Sequence, residues 1–267
     1  MNADDFGRSS SINAAVVRAH RQGILTSASL MVNENAFAEA VQLAKENPQL
    51  GIGLHLTLLG GLSTLTAEKI PGLVDSKNQF SNHPVNAGFR YFFSGNLRSQ
   101  LRAEMAAQFE KFHSTGLKLD HVNGHINIHL HPVIFKLLIE NAVAWGIRHM
   151  RLTCDPLGLN ARLAVGQWAY RLRHYFIYRS LSNWARPILR QNNIRFTQQV
   201  FGLLQSGRIN EEFLSRLLGQ LPEGDSELYS HPSLDDFKDE LDALTSPAIK
   251  NLCEKNNIKL IRYQDLT

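Results

Sequence analysis

Gly51-Ile-Gly-Leu-His-Leu-Thr-Leu58 alternates residue types with a period of two, the pattern of a strand whose two faces meet different surroundings. On both sides the periodicity changes to that of a helix. Upstream, Phe37, Ala40, Val41 and Ala44 recur at three- and four-residue intervals until Asn47-Pro48 stops the run. Downstream, Leu101, Met105, Phe109 and Phe112 repeat the spacing and end at Gly116. Further toward the N-terminus, Ser9, Ser10 and Ser11 offer caps for a helix with Ile12, Ala15, Val16 and Ala19 on its apolar face, closed by Gly23 and followed by a strand-like run from Ile24 to Val32. Toward the C-terminus, Leu117 to Val122 reads as a strand, Pro132 opens a helix from Val133 to Trp145, and Ile147 to Leu152 is the next strand. One or two helices then run to about Gln191. Strands over 194–201, 227–230 and 258–263 are separated by helices over 211–221 and 246–254. Residues 59 to 95, rich in Gly, Ser, Pro and Asn, read as a long loop. At least six alternations of strand and helix predict an α/β fold with a parallel sheet under helices, either a closed barrel or an open doubly wound sheet. Both place chemistry at the carboxyl ends of the strands.

The chain has 267 residues, 43% apolar and 19% charged, which suits one barrel-sized domain over 1–267 and excludes disordered, collagen-like and coiled-coil classes. Its two cysteines, Cys154 and Cys253, are far apart, so a disulfide framework and a cysteine-based zinc site are not expected. A reducing, cytoplasmic setting is the expectation. No apolar run approaches the ~18 residues of a membrane span, and Met-Asn-Ala-Asp-Asp is too acidic for a signal peptide. The net charge of +4 is uneven: 156–210 holds eight arginines and no Asp or Glu. Within it, arginines between 162 and 190 interleave with Trp168, Tyr170, Tyr175, Phe176, Tyr178 and Trp184. Such a basic aromatic helical segment, about 156–192, suits peripheral contact with a membrane face or an ordinary helix pair with a solvated arginine side. No recognised module supports nucleic-acid binding.

Carboxylates and imidazoles collect at the predicted strand ends. Asp4-Asp5 stands before the first helix, His55 lies in the opening strand, His121, His125, His129 and His131 crowd one strand-to-helix turn, and His231-Pro232 follows Glu227–Ser230. Each has a plain alternative: helix capping for the Asp pair, packing for His55, a turn for His231. Gathered from different strand ends, they describe a metal site with open positions.

Four segments carry a more specific likeness. NADDFG (Asn2–Gly7), GLHLTL (Gly53–Leu58), LDHVNGHINIHLHP (Leu119–Pro132) and ELYSHP (Glu227–Pro232), with the C-terminal IKLIRYQDL, resemble the YdjC-like family of carbohydrate deacetylases, and the third is similar to the hopanoid-biosynthesis (HpnK) branch. The resemblance implies a TIM-barrel-like (β/α) fold, a divalent metal (Mg2+ or Zn2+) and removal of an N-acetyl group from an amino sugar, in that branch a lipid-linked one. It implies Asp5, His55 and His125 as metal ligands, Asp4 as general base and His231 as general acid. Asn127, His129 and Arg151 are assigned to substrate binding. Family members often carry His-x-His-x-His where this chain has His125-Ile-Asn127-Ile-His129, so the third ligand lies between His125 and His129. Only Met1, Asn2 and Ala3 precede the Asp pair, so the sheet is expected to lack its first strand and the pair to sit at a fraying end. A homodimer is a further expectation. Two other activities use similar groups: a non-haem iron oxygenase, whose facial triad is also two histidines and a carboxylate, and a non-catalytic lipid- or sugar-binding barrel.

Overall fold

The elements, in chain order, are β1 (Asn2–Phe6), α1 (Ser10–Gln22), β2 (Ser27–Leu30), α2 (Phe37–Glu46), β3 (Gly51–Leu56), α3 (Pro84–Phe93), α4 (Leu97–Ser114), β4 (Leu119–Gly124), α5 (Pro132–Glu140), α6 (Leu157–Leu163), α7 (Trp168–Gln191), β5 (Gln199–Phe201), α8 (Glu211–Leu218), β6 (Ser226–Ser230), α9 (Lys238–Thr245) and α10 (Pro247–Lys255). They belong to a computed structural model that describes residues 1–164 and 166–266; Val165, inside the basic segment, and Thr267, at the end of the expected 1–267 domain, lie outside the described residues.

The six strands form one parallel sheet in the order β4-β3-β2-β1-β6-β5. Beyond β4, Val122 bridges to Met150 and His149 to Arg195, both in parallel, and the chain from Arg195 soon enters β5 at the other edge. The sheet therefore curls as a half-barrel. Of the TIM-barrel-like fold that the family likeness implies, the structure shows this curled parallel sheet under helices; 147–152 contributes single bridges instead of a strand.

The expectation of a missing first strand is overturned. Asn2–Phe6 is itself that strand, paired in the sheet interior with β2 (Asn2 with Ser27, Ala3 with Ala28) and β6 (Asn2 with Tyr229). Five residues suffice because neighbouring strands are equally short, and the terminal amine is tied to Thr26 Oγ1 at 3.0 Å. The Asp pair thus stands on buried backbone.

Helices cover the sheet as their periodicity predicts. Ser9 caps α1 by accepting from the Ile12 amide, Gly23 closes it, and Ala15, Val16 and Ala19 are fully buried. Leu101, Met105, Phe109 and Phe112 of α4 are likewise fully buried, each such side chain stabilising the fold by about 1.5–3 kcal/mol. The 59–95 loop contains a helix the periodicity reading passed over, α3, started by Pro84. Residues 258–263 form no strand; side chains hold them instead, Thr26 Oγ1 donating to the Ile261 carbonyl and Asp120 accepting from the Tyr263 and Gln264 amides.

Candidate active site

The carboxyl ends of β1, β3, β4 and β6 open into a cleft of ≈ 340 Å³ lined by Asp4, Asp5, Arg8, His55, His125, Asn127, Tyr229 and His231. A larger one, ≈ 620 Å³, lies at the opposite ends of the strands beside Met1 and Ser226 and holds none of the candidate residues.

Asp4 and Asp5 are neighbours on β1, and the turn of the backbone separates their tasks. Asp5 adopts a left-handed conformation (φ +64°), which breaks the strict alternation of the strand and lets both carboxylates reach the cleft. Asp5 Oδ1 lies 3.2 Å from His55 Nε2 and 3.0 Å from His125 Nδ1, and ligand atoms of the three side chains all fall within 4.8 Å of one another. Burial pushes the Asp5 carboxyl up, but the two imidazoles prevail and hold it well below the usual range. Arg8 closes the other side, donating to Asp5 Oδ2 at 2.8 Å. One carboxylate and two imidazoles converging from three elements fit a divalent cation with positions left open. His125 supplies the third donor. His129 is 0% exposed, with Nε2 3.1 Å from the Arg151 carbonyl, and burial and the Arg151 charge lower its pKa to about 3.

Asp4 faces a different environment. Arg151 donates to both its oxygens, at 2.7 and 2.8 Å, and Asn2 and Asn123 donate to Oδ1 at 2.8 and 3.2 Å. Burial raises its pKa, yet the Arg151 guanidinium and then His55 outweigh that and leave the carboxyl far below its ordinary value. Arg151 is itself 0% exposed, donates also to Glu227 Oε1, and lies 4.0 Å over the Tyr229 ring. Glu227 in turn accepts from the Tyr263 hydroxyl. Two expected substrate contacts are therefore corrected, since neither side chain lines the cleft: the buried Arg151 charge is spent on Asp4 and Glu227, without which it would be prohibitively costly, and the His129 ring is buried with Nε2 on the Arg151 carbonyl. Asn127 does reach the cleft; its left-handed backbone (φ +54°) turns the side chain to accept from Thr153 Oγ1 at 2.7 Å and to lie 3.5 Å from the Tyr229 hydroxyl. His231 stands on the β6 side, packed edge-on to Tyr229 and near Phe237, its amide held by Glu240.

The basic segment divides between two surroundings. Tyr170, His174 and Tyr178 of α7 line the cleft, and the Tyr178 hydroxyl donates to the Ile126 carbonyl. Arg171, counted with the surface arginines on sequence grounds, is buried and donates to the Asn160 and Ala164 carbonyls. Trp168, Leu172, Phe176, Ile177 and Trp184 do face outward. Sequence reasoning passed over Arg8, Asn123, Glu227 and Tyr229; all but Arg8 lie inside the quoted motifs, and polar residues in otherwise buried strand ends were the available signal.

One wall of the cleft rests on a titratable group. Asp155 is buried and accepts from the amides of Gly202, Leu203 and Leu204, and Leu203 lines the cleft. Burial pushes its pKa from 3.8 up to about 7, against the pull of those amides. The neutral acid is favoured by folding, so its contribution is fully present below about pH 4 and is lost as pH rises through about 7, on the order of 4 kcal/mol in all. Urea titrations between pH 5 and 8 are expected to show stability falling with pH in the parent protein and a flatter profile in Asp155→Asn. Parallel profiles would refute this.

A solved structure from Enterococcus faecalis V583, provisionally named for cellobiose-phosphate cleavage, superposes with a TM-score of 0.72 at 22% identity, covering 98% of this chain and 96% of that one, which shows the shared fold. A protein of Clostridium beijerinckii named carbohydrate deacetylase is 28% identical over 282 residues, spanning 100% of this chain and 98% of its own. One of the same name from Brevibacillus brevis is 39% identical over 145 residues, where the match spans about half of each chain, 53% of this one and 54% of the relative. The family described as YdjC-like protein matches residues 1–255. With its family motifs meeting at one cleft, the chain belongs to the YdjC-like family.

Proposed function

We propose that this chain, as one domain over 1–267, is a metal-dependent carbohydrate deacetylase that hydrolyses the N-acetyl group of an amino sugar. The observation that carries the reading is the Asp5, His55 and His125 cluster standing beside a separately held carboxylate, Asp4, in one cleft. The name shared by its relatives supports the same substrate class. A divalent cation held by Asp5, His55 and His125 would polarise the acyl oxygen and make water acidic enough to attack near neutral pH. Two imidazoles among three donors favour Zn2+ over Mg2+, which prefers oxygen ligands.

The residues of the chain divide the remaining work. Asp4, weakly basic because Arg151 neutralises it, would accept the proton of the attacking water and cannot compete for protons from bulk solvent. His231, across the cleft, gives a proton to the departing amine, without which an amide nitrogen is a poor leaving group. The Asn127 amide orients the sugar by its hydroxyl or acetamido groups.

The substrate we favour is lipid-linked, as in the hopanoid branch whose third motif this chain resembles. Supporting it, Val85, Phe89, Phe92 and Phe93 of α3 and the outward residues of α7 expose apolar surface, while Ile126, its carbonyl bonded to Tyr178 of α7, reaches the cleft. Basic and aromatic side chains on that rim suit peripheral contact with an anionic membrane face. No helix among the described residues is long and apolar enough to cross a membrane.

Acetate release from N-acetylglucosaminyl glycosides tests both levels. Activity is expected to disappear on chelation, return with Zn2+, persist without oxygen or a 2-oxo acid, and show a higher kcat/KM for the glycoside anchored in anionic vesicles. Chelator-insensitive release would overturn the metal reading; a requirement for oxygen would point to the oxygenase chemistry of the same triad. Sugar binding without turnover would leave only a binding barrel, and equal kcat/KM for free and anchored glycosides would remove the lipid linkage.

A further inference from the structure

We propose that Asn123 is a positioning residue that sets, with one amide group, both the tautomer of His55 and the orientation of Asp4, coupling the metal-binding half of the site to its proton-accepting half. This rests on the metal reading above and adds a residue with no contact to substrate or cation.

Behind the site runs a chain of buried polar groups. Asp120 accepts from the Gln264 amide at 2.9 Å and the Tyr263 amide at 3.3 Å, and its Oδ2 lies 2.9 Å from His121 Nδ1. Burial raises the Asp120 pKa, but His121 and those amides prevail and keep it below the ordinary value, so it is a carboxylate and His121 Nδ1 carries a proton toward it. His121 Nε2 lies 3.0 Å from Ser29 Oγ. Gly53 makes this placement possible: a Cβ there would sit 2.5 to 2.7 Å from the atoms of the His121 ring, closer than packing allows.

Ser29 Oγ has a single hydrogen to donate and receives two bonds, from Asn2 Nδ2 at 2.9 Å and Asn123 Nδ2 at 2.7 Å. The second hydrogen on Asn123 Nδ2 points to Asp4 Oδ1 at 3.2 Å. A carboxylate only accepts, so the end of the Asn123 amide facing Asp4 must be its NH2 group. The opposite end, Oδ1, then faces His55 Nδ1 at 2.7 Å and can only accept. His55 is thereby committed to carrying a hydrogen on Nδ1, and Nε2, 3.2 Å from Asp5 Oδ1, is the atom left for a cation shared with Asp5 and His125. Turning the amide over would place an oxygen against the Asp4 carboxylate and an NH2 against the His55 proton. The negative charge of Asp4 thus selects the tautomer of a ligand it does not touch. Asn123 is 0% exposed, so water cannot substitute for either bond.

Two variants separate the functions of the one amide. Asn123→Asp keeps an acceptor for His55 Nδ1 but removes both donors and sets a like charge beside Asp4. Asn123→Leu removes acceptor and donors together. Zn2+ affinity, read by competition with a chromophoric chelator, is expected to stay close to the parent value in Asn123→Asp and to fall about 10–100-fold in Asn123→Leu, while kcat for acetate release drops in both with little change in KM. Equal loss of affinity in the two would mean a merely structural role and overturn the proposal. Should either variant fail to fold, 15N spectra of the metal-free parent protein, recorded above the pH at which the His55 ring gives up its charge, decide the matter. A hydrogen on His55 Nδ1 is expected there, and a bare Nδ1 would overturn the proposal. A parent protein that binds no Zn2+ would instead defeat the metal reading, which these spectra do not depend on.

Discussion

Replacing Arg151 with methionine is expected to destabilise the protein by about 3–5 kcal/mol near pH 7, the typical cost of stripping a buried ion pair of one partner. The guanidinium is fully buried and bonded on both sides, to Asp4 at 2.7 and 2.8 Å and to Glu227 Oε1 at 3.0 and 2.8 Å. Methionine keeps much of the volume and removes the cation bonded to both carboxylates, so two like charges remain without water. Asn2 and Asn123 still donate to Asp4, and Tyr263 to Glu227, which keeps the loss from approaching the full price of two bare ions. The pH dependence follows from the same balance. With Arg151 gone, burial dominates at Asp4 and its folded pKa rises above the unfolded value. The missing stability should then be partly recovered as pH falls and the carboxyls take up protons. Urea unfolding at pH 5 and pH 7 reads both effects. Adding Glu227→Gln to Arg151→Met should restore part of the loss, because one of the stranded charges is gone. A deficit below about 1 kcal/mol, unchanged between the two pH values, would mean that the Arg151 charge does not hold Asp4 in place.

That arginine also shows where legibility in the sequence ends. Gly51–Leu58, Ser9 with Gly23, and the α4 stripe are local signals, since periodicity and caps act within a few residues, and the corresponding elements stand where they predict. The candidate cluster was legible for a different reason, the likeness of short motifs to one family, and Asp5, His55 and His125 do converge. Arg151 meets Asp4 across 147 residues and Glu227 across 76, and nothing beside it in the chain marks such a pairing. A side chain read as reaching for substrate is instead neutralised below it. The missed helix α3 has the opposite cause. Val85, Phe89, Phe92 and Phe93 do recur at helical intervals, but they face outward and only Ala87 and Tyr91 are buried, within a stretch whose Gly, Ser and Asn content suggests a loop. The curl of the sheet was hidden because 147–152 is apolar enough for a strand yet pairs through single bridges, a matter of distant backbone geometry.

The adjacent aspartates offer the sharpest separation of roles. Asp5→Asn should abolish Zn2+ binding at the site, since the carboxylate oxygen 3.0 and 3.2 Å from the two imidazoles is the only anionic donor of the cluster. Asp4→Asn should leave Zn2+ affinity within a few-fold of the parent and lower kcat by about 10²–10⁴, the usual contribution of a positioned general base. The amide is close in shape and retains one oxygen for Asn2, Asn123 and one Arg151 nitrogen, but it loses the negative charge and the capacity to take up a proton, and turns an NH2 group toward the other Arg151 nitrogen. Its stability cost should be smaller than that of Arg151→Met, because one buried charge then remains for Arg151 to pair with, on Glu227. KM should change little in Asp4→Asn if the substrate is held by other groups of the cleft, Asn127 and the α7 side chains among them. Calorimetric Zn2+ titration of both variants, beside acetate release at saturating glycoside, checks each statement separately. Should Asp4→Asn keep near-parental kcat, the proton must go elsewhere and the tight embrace of Arg151 would be the reason. Should it lose Zn2+ as completely as Asp5→Asn, the two carboxylates would share one task, and the left-handed turn at Asp5 would serve to aim both at the cation.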